Sequence, residues 1–166
     1  MFARLSVVMA ASATLCVACT SLPRDKELLD RFAQRRTEFN TLMMSLERDN
    51  VREMSGRGRS YSRTDTIEPL DARTMASYRV LFEVLGLQQV YDFPQERRHR
   101  YLELTAASRN GLLSLASKGY AYSDLSPASR GGAIVASLDD SQMDTGDEFR
   151  HIEGNWYLYL RKRSNN

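Results

Sequence analysis

Between residues 28 and 46 apolar side chains recur at Leu28, Phe32, Phe39, Leu42, Met43 and Leu46, with steps of three, four and seven. That spacing keeps returning to one face of a 3.6-residue helix. Pro23 stands where helices begin, and Asp25, Glu27 and Asp30 fill the first turns. Together they predict one long amphipathic helix over 23–54, its stripe broken only by Arg35. Residues 55–62, Ser-Gly-Arg-Gly-Arg-Ser-Tyr-Ser, read as a loop on glycine content. A second helix follows Pro69 and Asp71 and carries Met75, Tyr78, Leu81, Phe82 and Leu85 on one face. Gly86 then Leu87 fits a glycine stop whose next apolar residue folds back towards Phe82.

After Leu87 the period shortens towards two. Residues 89–93 form a short candidate strand closed off by Pro94, and 100–106 alternates Tyr101, Glu103 and Thr105 against Leu102 and Leu104. Arg109-Asn110-Gly111 supplies a tight turn, because Asn-Gly tolerates positive φ at both central positions. Residues 112–116 and 119–123 return from it, with Gly119 as a bulge or bend. A further strand is expected over 132–138, followed by an acidic loop over 139–148. The last hairpin is the clearest: 149–153, a Gly154-Asn155 turn, then 156–160. The whole reads as α+β, with two N-terminal helices packed on a C-terminal antiparallel sheet of four to five strands.

Upstream of all this lies a different pattern. Arg4 is the only charge before an apolar and small-residue run over 5–18, too short for a permanent membrane span. A basic start, an apolar middle and a small-residue exit make a secretory signal peptide. Its exit, Leu15-Cys16-Val17-Ala18-Cys19, resembles the lipobox of Gram-negative bacterial lipoproteins, in which the cysteine becomes the lipidated first residue. Cys16 departs from that pattern where Leu is usual. Cleavage after Ala11-Ser12-Ala13 is the rival reading and would leave a soluble periplasmic protein. The resemblance implies residues 1–18 removed, Cys19 carrying acyl chains such as palmitate, and residues 19–22 as a short tether. It further implies outer-membrane sorting facing the periplasm, because Thr20 is not Asp. Three chains, at about 0.8 kcal/mol per buried CH₂, make such anchoring effectively permanent. A tether of three or four residues spans about 10–14 Å, so the domain would lie close to the bilayer.

Removing the leader leaves residues 19–166, of which 23–166 make a single domain's worth of chain. The leader holds one of the 23 basic residues and none of the 21 acidic ones, so the remainder is almost neutral. That balance argues against nucleic acid as a partner. The only cysteines, Cys16 and Cys19, lie in the leader's exit, so no structural disulfide is expected in the folded part. As a redox pair they fail on context, being inside the apolar export run. Segments Ser117-Lys118-Gly119-Tyr120-Ala121-Tyr122 and Trp156-Tyr157-Leu158-Tyr159 resemble elements of small proteobacterial lipoproteins. That likeness spans 81–160 loosely and implies no activity.

Candidate chemistry is sparse. His99 and His151 are the only histidines, and neither belongs to a zinc-ligand or nucleophile–base spacing. Both read as solvated surface residues. The acids Asp139, Asp140, Asp144, Asp147 and Glu148 invite calcium, but counting an EF-hand loop from Asp140 puts Thr145 and His151 at the positions that need Gly and Glu. A solvated loop is the better reading. Gly56-Arg57-Gly58-Arg59 completes no phosphate-loop motif, and with Arg63 it could at most brush lipid headgroups. No G-x-S-x-G elbow occurs. The densest aromatic set is Tyr120, Tyr122, Trp156, Tyr157 and Tyr159. Alternation sends Trp156, Leu158 and Leu160 to the core and Tyr157 and Tyr159 to the other face. Tyr120, Tyr122, Tyr157 and Tyr159 are therefore a candidate binding surface. The expectation is a membrane-anchored envelope lipoprotein with an interaction or structural role, no enzymatic activity, no cofactor and no metal. Its partner would be an envelope protein or peptidoglycan. The alternative is a module that binds a small ligand or a peptidoglycan fragment, recognisable by a concave aromatic pocket on the sheet.

Overall fold

Arg35 does more than interrupt the first stripe: it ends one helix and starts another. The computed structural model describes residues 21–56, 60–63, 69–95, 99–111 and 114–164, so the leader, Cys19 and half of the expected tether lie outside the described residues. In place of a single helix over 23–54 there are α1 (Asp25–Gln34) and α2 (Arg36–Arg48), with Arg35 at φ −123° and ψ 25° between them. On a straight helix Phe32 and Phe39 would be separated by about 10.5 Å of rise. The bend brings their rings to 5.1 Å, and both then pack on Trp156. Phe39 also meets Tyr120 edge-on at 4.6 Å. Packing of these rings outweighs continuity of the helix.

The second departure is at the end of α2. Asn50 adopts φ 52°, a left-handed conformation that Asn tolerates better than most residues, and its N–H caps Glu47 O at 3.2 Å. The chain then runs as β1 (Val51–Ser55), which pairs with β2 (Ser60–Arg63). Residues expected as helix end and glycine loop are therefore a hairpin; Arg57, Gly58 and Arg59 lie outside the described residues. Strands precede α3 (Ala72–Leu85), so the helices are not all N-terminal to the sheet.

Helix α3 follows the sequence closely. Asp71 caps it, its Oδ1 accepting from Arg73 N at 2.8 Å and Thr74 N at 2.9 Å. Gly86, at φ 62°, ends it, and Leu87 N–H returns to Phe82 O at 2.8 Å. Asp71→Ala should lower the melting temperature by roughly 2–4 °C, the effect of losing one helix cap in a domain this size. Thermal unfolding followed by circular dichroism checks it; an unchanged midpoint would mean the cap is dispensable.

The remaining strands are β3 (Gln89–Gln95), β4 (His99–Asn110), β5 (Ser114–Ser123), β6 (Ala133–Ile134), β7 (Gly146–Glu153) and β8 (Trp156–Ser164). They form an eight-stranded sheet of order β2-β1-β3-β4-β5-β8-β7-β6, in which β6 runs parallel to β7 and every other pair is antiparallel. The α+β class stands, whereas the expected four to five strands become eight. β3 runs on through Pro94 because β1 reaches only to Tyr91, leaving the missing N–H on a stretch paired on one side. The expected Asn110-Gly111 turn moves on: Asn110 still pairs with Leu115, and Gly111 N–H donates to Ser114 O at 2.7 Å. β5 is one continuous strand. The bulge lies opposite it in β4, where Thr105 pairs with Gly119 and Ala107 with Lys118.

Helices cover one face of the sheet. Leu102, Leu104, Tyr120, Trp156, Leu158 and Leu160 point into that main core. After β5 the chain crosses the other face as a 3₁₀ turn (Pro127–Arg130), then rounds the sheet edge through β6, so that Leu138 reaches the helix side. A buried charge cluster fastens this wrap to α1. Lys118 Nζ lies 2.7 Å from Asp25 Oδ1 and 2.6 Å from Asp139 Oδ1. Leu138 N–H donates to Asp25 Oδ2 at 2.8 Å, and Arg150 approaches the same oxygen at 2.9 Å. Asp25 N–H in turn donates to both carboxylate oxygens of Asp139. Asp139 is thus a structural clasp and not part of a solvated loop.

A groove on the open face of the sheet

Cross-strand register separates the four candidate tyrosines. Tyr120 pairs with Leu158 and Tyr122 with Trp156, whereas Tyr159 pairs with Gly119 and Tyr157 with Ala121. Tyr120 and Tyr122 therefore face the helices, and Tyr157 and Tyr159 face away. Tyr120 is fully buried and donates to Leu28 O at 3.0 Å. Tyr122 is half-buried, edge-on to Trp156 at 5.3 Å. Tyr159 is buried, sharing a 2.7 Å hydrogen bond with Thr105 Oγ1. Burial pushes the hydroxyls of Tyr120 and Tyr159 well above the ordinary tyrosine range. Tyr157 is half-buried between Phe149 and His151. The four do not form one surface.

What the open face does present is a groove of about 390 Å³ beside that second aromatic cluster. Its floor comes from alternate residues of β4 and β8. Glu103, 2% exposed, accepts two bonds from Arg161, at 2.7 and 2.6 Å, and a third from the Tyr101 hydroxyl at 2.6 Å. Arg161 also donates to Asp147 at 2.9 and 3.1 Å, and Arg163 lies 2.8 Å from Asp147 Oδ1. Two carboxylates thus engage two guanidinium groups in a fixed fork geometry. Burial alone would raise the Asp147 carboxyl, but Arg161 and Arg163 together hold it below its usual range. Burial and then the Glu103 charge push the Tyr101 phenol far up, keeping it a donor.

The wall is supplied by the 3₁₀ segment. Arg130 lies over the Tyr101 ring with its guanidinium carbon 4.2 Å from the centroid. Gly132 sits so close to Phe149 that a Cβ there would fall 2.5 Å from the ring. On the opposite rim Phe93, 37% exposed, stands 5.6 Å from Tyr101 and 6.0 Å from Tyr91.

Sequence reading assigned none of these residues to a site. Alternation did place Tyr101, Glu103 and Thr105 on one face, but the β7–β8 register puts Asp147 beside Arg161, and the Arg161 side chain reaches across β5 to Glu103. The expected acidic loop divides: Asp147 and Glu148 belong to β7, and among the described residues no three His, Cys, Asp or Glu side chains gather as a metal site. His151 is exposed, 2.9 Å from Gly154 O, while the His99 side chain and Cys19 lie outside the described residues. No helix among the described residues is long and apolar enough to cross a membrane. No family model matches the chain, and no curated protein or solved structure matches it either.

Proposed function

We propose that this chain is a non-catalytic ligand-binding module of a bacterial cell envelope, held at the outer membrane by acyl chains on Cys19. One observation favours it over a purely structural role: the open-face groove is concave, aromatic-walled and lined by convergent polar groups. Ligand sites of small molecules have that character and a volume of roughly 300–1,000 Å³. Peptidoglycan fragments, or another small solute of the same compartment, are the ligands the reading names. The envelope placement rests on the leader's layout and on its lipobox-like exit.

Two experiments test the parts separately. Cys19→Ser should move the protein from the membrane to the soluble fraction; continued sedimentation with membranes contradicts the anchor. A photo-crosslinking residue at Phe93, on the groove rim, should capture a small molecule in intact cells, as read by mass spectrometry. The same residue at Val84, exposed on α3, serves as comparison. Protein adducts alone at Phe93 would replace the ligand reading with an interaction role.

A further inference from the structure

We propose that the groove selects an oxyanion, a carboxylate or phosphate, attached to a planar or apolar body; this rests on the ligand-binding reading above. The charge count of the lining carries it. Five charged side chains face the groove: Glu103, Asp147, Arg130, Arg161 and Arg163. Both carboxylates are engaged by Arg161 and Arg163, so one positive charge is left over. That charge is on Arg130.

Arg130 is also arranged to use it. Its guanidinium lies over the Tyr101 ring, and its Nε is buried with no hydrogen-bond partner among the described residues. Stacking on an aromatic face leaves a guanidinium's N–H donors directed outwards in its own plane, where a carboxylate or phosphate can take two of them. Because Nε itself is closed to solvent, an oxyanion in the groove would pair with the guanidinium's terminal N–H donors. Glu103 cannot serve as the partner, because its oxygens already accept from Arg161 and Tyr101. The exposed Phe93 ring lies on the same groove and gives the rest of the ligand an apolar wall. An acidic molecule with a ring or chain fits both features; a neutral sugar or a bare anion fits only one.

Isothermal titration of the Cys19→Ser chain with four probes separates these cases: benzoate, phenyl phosphate, benzamide and acetate. Benzoate or phenyl phosphate should bind at least about tenfold more tightly than benzamide or acetate. Whichever anion is preferred distinguishes a carboxylate source, such as a stem peptide, from a phosphate source, such as a lipid headgroup. Arg130→Ala should weaken the preferred anion by about tenfold or more and remove most of its advantage over benzamide, with Arg130→Lys in between, since it keeps the charge and loses the fork. Benzamide matching benzoate overturns the anion selectivity while leaving a ligand-binding groove. No measurable binding of either anion at millimolar concentration overturns it as well. Failure of the underlying module would show differently, as purely protein adducts at Phe93.

Discussion

Lys118→Met should cost about 3–5 kcal/mol of folding stability, the loss typical when one member of a buried ion pair is removed. Lys118 is 3% exposed and Asp25 1%, so water cannot solvate the carboxylate left behind. The methionine stem replaces most of the lysine's packing, which isolates the charge as the cause. Against the 5–15 kcal/mol usual for a domain, such a loss brings the chain near its unfolding limit. It also detaches two elements at once, because the same cluster holds the start of α1 and the segment around Leu138. Urea denaturation of wild type, Lys118→Met, Asp25→Leu and the double variant measures the coupling. The double variant should lose clearly less than the two single losses added together. Strict additivity would mean that the pair does not interact energetically.

Acidity reads the same cluster. Burial raises the Asp25 carboxyl, but Lys118, the Leu138 N–H and Arg150 outweigh it, so the folded value lies below the ordinary 3.8. A depressed carboxyl stabilises the fold at pH above the unfolded value and loses that contribution as pH falls through the folded one. Wild-type stability should therefore hold down to about pH 4 and decline below it. In Lys118→Met the folded Asp25 value moves up towards the unfolded one, so this acid-dependent loss should shrink or disappear.

Gly119→Ala should be nearly as damaging, for a steric reason. A Cβ at residue 119 would lie 2.1 Å from Leu104 O and 2.8 Å from Ala106 N, both backbone atoms of the β4 bulge. No rotamer change relieves that overlap. Either the bulge straightens, shifting the register of Tyr101 and Glu103, or β4 and β5 separate. Overpacking of this kind costs roughly 3 kcal/mol or more. A melting temperature within two or three degrees of wild type would show that the bulge is adaptable.

The bulge also shows where sequence reading stops. Gly119 signalled an irregularity, but nothing local says that the extra residue belongs to the partner strand. Helix α3 was legible from end to end because Asp71, the apolar spacing and Gly86 act within a few residues of one another. Trp156, Leu158 and Leu160 fell on the core side as strict alternation requires. The break at Arg35 was visible as a gap in the stripe, yet its cause is the sheet surface formed by Tyr120 and Trp156, far along the chain. Val51 to Met54 continued the helical spacing and became a strand because Asn50 turned left-handed and β3 offered an edge. The groove was least legible of all. Glu103, Asp147 and Arg161 are ordinary charged residues until β4, β5, β8 and β7 are set side by side in register.

The measurement that bears most directly on the groove follows the Arg130 Nε–H resonance by nitrogen-15 NMR as benzoate is added, with Arg130→Lys identifying the peak. The account predicts a saturable shift of that signal, along one curve with the amides of Phe93 and Gly132. A silent Arg130 signal, with shifts confined to the outer helix surface around Met44 and Val80 or absent throughout, would contradict it.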